Sequence, residues 1–71
     1  MDKDELTTIL RGGPAIIRMN DGRSYEVPGL ESTLISDIAA SILHRGDDGK
    51  LRHVYLPLVT MSAVQVVANG G

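Results

Sequence analysis

The chain has 71 residues, two histidines, three methionines, no cysteine, and Tyr25 and Tyr55 as its only aromatics. Seven basic against nine acidic residues give a formal charge of −2. That length allows one domain. The lack of cysteine excludes disulfides and thiolate metal sites.

At 42% hydrophobic and 23% charged, the chain is ordinary globular material. Its size is marginal, because one core below about 70–80 residues rarely supplies more than ~3–5 kcal/mol. With no covalent staple, self-association is the expected brace. No apolar run of membrane-spanning length occurs. The acidic start Met1-Asp2-Lys3-Asp4-Glu5 lacks the apolar stretch of a secretory signal, so a cytoplasmic setting is expected. Mild acidity counts against a dedicated nucleic-acid binder, whose affinity comes largely from neutralising phosphates.

Residues 2–11 predict a short helix. Acidic residues crowd its start and Arg11 stands at its end, as the helix dipole favours. Leu6, Ile9 and Leu10 make one apolar stripe, and Gly12-Gly13-Pro14 stops the helix. Ala15–Met19 and Arg23–Val27 predict two strands, the second alternating Tyr25 and Val27 against Ser24 and Glu26. Asn20-Asp21-Gly22 between them is a hairpin turn, since glycine and Asx residues tolerate positive φ. Pro28-Gly29 ends the second strand.

Residues 32–45 carry two readings. Leu34, Ile35, Ile38, Ala39, Ile42 and Leu43 recur with helical spacing, with Ser32 as N-cap and Gly46 as the residue beyond the end. The other reading is a short strand or turn through Leu34-Ile35 and a strand over 38–44, with Ile38, Ala40, Ile42 and His44 on one face. The turn cluster Gly46-Asp47-Asp48-Gly49 and the strand-like 51–56 then complete a second hairpin. Pro57 predicts a bend, followed by a turn through 59–62 and a strand over 63–67. Residues 68–71 are expected to form a loose tail.

This order of elements resembles the small SH3-like barrels, the Sm-like fold among them. The stretch Ile17-Arg18-Met19-Asn20-Asp21-Gly22-Arg23-Ser24-Tyr25-Glu26-Val27 is similar to one found near the start of small uncharacterised bacterial proteins. Leu58-Val59-Thr60-Met61-Ser62-Ala63-Val64 resembles their final pattern. The resemblance covers residues 5–67 loosely and implies a mainly β, five-stranded SH3-like barrel, one domain over 1–71 with a short N-terminal helix. An α+β fold with 32–45 helical is the alternative. The barrel is preferred because it closes edges that an isolated hairpin leaves open. The Sm pattern is not met throughout. Val27-Pro28-Gly29-Leu30-Glu31 stands where its RNA-loop residues belong, without an Asp-x-x-x-Asn, so Sm-type RNA binding does not carry over residue by residue.

Asp47 and Asp48 beside His44 and His53 are residue types that hold cations or move protons. The plainer reading, turn chemistry, is preferred, and no metal is expected. No nucleophile elbow and no phosphate loop are present. No catalytic residue and no cofactor is expected.

Arg18 and Arg23 flank the first turn, and Arg45, Lys50 and Arg52 the second. If the two turns share one end, these five form a patch for phosphates or an acidic partner, although a solvated rim is the preferred reading. The lack of Phe and Trp removes stacking platforms for single strands. Val54, Leu56, Val64 and Val66 are more apolar than water-facing edge strands require, and are the candidate interface between copies. The expected function is therefore a non-catalytic homo-oligomeric interaction module. A Sm-like RNA- or DNA-binding ring is the alternative, and a small enzyme or metal protein comes last.

Overall fold

A computed structural model of the chain describes residues 1–67. It is mainly β, with one helix and two small antiparallel sheets. Helix α1 spans Lys3–Arg11. The strands are β1 (Ala15–Met19), β2 (Ser24–Val27), β3 (Thr33–Ile35), β4 (Ala39–Arg45), β5 (Leu51–Pro57) and β6 (Met61–Val66). Short 3₁₀ turns, Leu30–Ser32 and Leu58–Thr60, precede β3 and β6. The expected tail, 68–71, lies outside the described residues. Among the described residues no helix is long and apolar enough to cross a membrane.

The first sheet has the order β2-β1-β6. Its hairpin is the predicted one, with Ile17 opposite Tyr25 and Ala15 opposite Val27. Gly22 supplies the positive φ that the turn requires. The last strand pairs with the first, Ile17 opposite Val64, with an irregularity between Arg18 and Met19. Ala15, Ile17, Met19 and Val27 point inward and are buried.

The second sheet has the order β3-β4-β5. Ala40 pairs with Leu56 and Ile42 with Val54 on its inner face, while Ser41 pairs with Tyr55 and Leu43 with His53 on its outer face. Residues 39–45 are thus a strand, and the helical reading of 32–45 fails. The helix-like spacing arose because this sheet carries apolar residues on both faces, Ile42 inward and Leu43 outward. Ile38 is corrected too. It precedes β4 and is 78% exposed instead of lining the inner face. The Ser36 hydroxyl accepts from the Ala39 amide at 3.1 Å and makes the turn there.

Six strands form two three-stranded sheets, and the ladder does not close around them. Pro28 is the physical cause at one gap. It has no amide hydrogen to continue β2, and the 3₁₀ turn at 30–32 carries the chain across to the other sheet as β3. The sheets meet over a core of Leu6, Leu10, Ile17, Val27, Ile42, Leu56 and Leu58, all buried. Leu6 and Leu10 of α1 complete it, four residues apart on one helix face.

Candidate interaction surface

The five basic residues do not come together. The Asn20 amide donates to the Thr60 carbonyl at 2.8 Å, which sets the first turn beside the C-terminal end of β5. The second turn, 46–49, enters the N-terminal end of the same strand. Seven extended residues separate these ends by about 20 Å. Arg18, on the outer face of the first sheet, donates from Nε to Gln65 Oε1 at 3.4 Å. Arg23 lies 3.6 Å from the Asp21 carboxylate. Arg45 donates to the Gly49 carbonyl. Arg52 Nη1 donates to Asp48 Oδ1 at 3.0 Å, and Lys50 is exposed in the same turn. Two hairpins joined through 3₁₀ turns need not point the same way, and here their turns lie toward opposite ends of β5.

Asp48 is engaged by its own turn. The Lys50 amide also donates to Asp48 Oδ1, at 3.0 Å. The hydrogen bond from Arg52, then that from the Lys50 amide, hold this carboxyl below its ordinary range. His44 turns inward and meets Tyr25, while His53 faces outward beside Leu43. The two histidines therefore stand on opposite faces of one sheet and do not converge with Asp47 and Asp48.

The apolar candidates separate in the same way. Leu56 is 3% exposed and belongs to the core. Val54 and Val64 are half-buried against that core. Val66 is the exposed one of the four.

A different surface stands out. Eight large apolar side chains are exposed among the described residues, and six belong to the second sheet or its end. Leu34 (74% exposed) and Tyr55 (75%) flank Ser41 on the outer face, with Leu43 and Leu51 further along it. Ser41 is buried although it points outward, since its two neighbours cover it. Ile38 and Val59 (83%) lie at the sheet's end, joined where the Leu58 amide donates to the Ile38 carbonyl at 2.9 Å. Scattered exposed leucines mean little, but a contiguous apolar face does. The sequence held the signal for it. In Leu51-Arg52-His53-Val54-Tyr55-Leu56 both alternating sets contain apolar residues, the mark of a strand covered on two faces.

A groove of about 550 Å³ opens where β2 lies against β4, lined by Ser24, Glu26, Val27, Leu43, His44 and Arg45 among others. The sequence matches no protein-family model, and no curated protein or solved structure matches it.

Proposed function

We propose that the chain is a cytoplasmic, non-catalytic, homo-oligomeric interaction module built on an SH3-like (Sm-like) barrel that opens between its two sheets. The order helix, hairpin, second hairpin, 3₁₀ turn and last strand supports the barrel reading, as does the pairing of β1 with both β2 and β6. The observation that carries the functional reading is the one-sided apolar surface. Among the described residues eleven apolar side chains are buried, while four large ones lie exposed on the second sheet and two more, Ile38 and Val59, at its end. A core this small gains most from covering that face, since burying apolar surface contributes about 25 cal/mol per Å².

A nucleic-acid-binding ring draws less support. Its basic residues are divided between the two ends of β5, and Arg23 and Arg52 already face carboxylates. Molar mass in solution, measured by light scattering over a concentration series, tests the proposal. A mass that is a multiple of 7.6 kDa is expected. A single-chain mass at every concentration would overturn it.

A further inference from the structure

Resting on that self-association reading, we infer that the outer face of β3-β4-β5 docks on the same face of a second copy. The two-fold axis lies between the sheets and crosses β4 at Ser41. The register of the face selects this arrangement. An axis running across the strands sets residues equally far before and after Ser41 opposite one another. Leu43 of one copy then covers Ala39 of the other, and Arg45 comes to the end of β4 where the bend before the strand holds Asp37. Along β5 the matching centre is Tyr55, the partner of Ser41 in the ladder. His53 falls opposite Pro57, and Leu51 opposite the Val59 end. Leu34 and Tyr55, which cover Ser41, each meet their own copies on the axis.

Sterics and charge agree with this choice. Ala39 is small and leaves room for Leu43 of the other copy to insert, as the inner layers of stacked sheets do. Asp37 is exposed and has only Oδ1 held by Lys3 Nζ, at 2.9 Å, so Oδ2 can take a guanidinium from the partner. The other two-fold arrangement, with the axis along the strands, sets each β4 residue on its own copy. It brings Arg45 against Arg45, two like charges on one desolvated face, and is disfavoured for that reason. The available area also fits. Leu34, Leu43, Leu51 and Tyr55, continued by Ile38 and Val59 at the sheet's end, form an apolar patch on the order of several hundred Å², the scale of what one partner contributes to a standard interface, about 800 Å². The molecule's whole accessible surface is 4783 Å².

The test is the dimer dissociation constant, followed by sedimentation for the wild type and three variants, with circular dichroism reporting the fold of each. The expected species is a pair of chains. Tyr55→Glu, at the axis, should weaken it by about a hundredfold. Arg45→Asp should weaken it by about tenfold, and adding Asp37→Arg to that variant should restore it. The swap depends on two exposed residues, so it reads the interface even if Tyr55→Glu perturbs the strand. A wild type that is oligomeric but indifferent to Tyr55→Glu and Arg45→Asp overturns this face and leaves the self-association reading standing. Failure of Asp37→Arg to restore Arg45→Asp overturns the register. A wild type that stays a single chain overturns both readings.

Discussion

Tyr25 and His44 meet edge to face, with ring centroids 5.3 Å apart and planes at 81°. Tyr25 comes from the inner face of the first sheet and His44 from the inner face of the second. The contact thus ties β2 to β4 at the gap that backbone hydrogen bonds do not close. An aromatic pair of this geometry is worth about 0.5–1.5 kcal/mol beyond the area it buries. A double-mutant cycle with Tyr25→Leu and His44→Leu, read by urea unfolding, should return a coupling energy in that range. A coupling near zero would mean the sheets hold together without this pair.

The outer strap is ionic. Lys3 on α1 reaches Asp37 in the turn between β3 and β4, and Arg52 reaches Asp48. Asp37 is held below its ordinary carboxylate range by the hydrogen bond from Lys3 first and its charge second. Asp48 is lowered chiefly by Arg52. A carboxyl depressed in the folded state stabilises above its unfolded value, about 3.9 for Asp, and loses that contribution as pH falls through the folded value. The thermal midpoint should therefore be flat with respect to these groups near neutrality and decline below about pH 4. Both pairs are exposed, so the decline should be shallow and weaken with salt. In Asp37→Asn combined with Asp48→Asn the acid limb should flatten further. An unchanged limb would remove the two pairs as its cause.

Gly22 and Gly49 sit in the two hairpin turns at φ +92° and +79°. A β-carbon meets no neighbour at either position, so the cost of replacement is conformational alone. Gly22→Ala and Gly49→Ala should each cost about 1–2 kcal/mol, measured by urea denaturation. Equal stability in a variant would place that turn outside the left-handed region.

Leu6 and Leu56 are both core residues, one on the helix and one on β5. Truncation of either to Ala should cost about 2–5 kcal/mol through lost transfer energy and the cavity left behind. For Leu56→Ala the self-association constant, taken where the variant is still folded, should match the wild type. A selective loss of association would return Leu56 to the interface.

Local chemistry made much of this fold legible in the sequence. Acidic residues before Leu6 and the Gly12-Gly13-Pro14 stop define α1, and Asp21-Gly22 between alternating strands defines the first hairpin. The strand at 39–45 was harder, because Leu43 outside and Ile42 inside mimic a helical stripe. The last strand begins at Met61, two residues before the sequence suggests, since the 3₁₀ turn after Pro57 is shorter than the expected bend. The interaction surface is less legible in the sequence. Leu56 and Val66 are alike in chemistry and both register on inner faces, opposite Ala40 and Ala15, yet Leu56 is buried in mid-sheet while Val66, the last residue of β6, stands exposed. No local pattern encodes which way two hairpins point, so the separation of Arg23 from Arg45 was beyond it.

The first sheet borrows its third strand from the far side of the sequence, with Ile17 opposite Val64. Forty-seven residues must be brought round before that ladder can zip, an entropic toll that local pairs such as β4-β5 never meet. The second sheet is therefore free to assemble early, and during synthesis β1 waits with one side unsatisfied until residues 61–66 emerge. Refolding should accordingly be slow for a chain this short, and a nascent fragment ending before Met61 should be sticky.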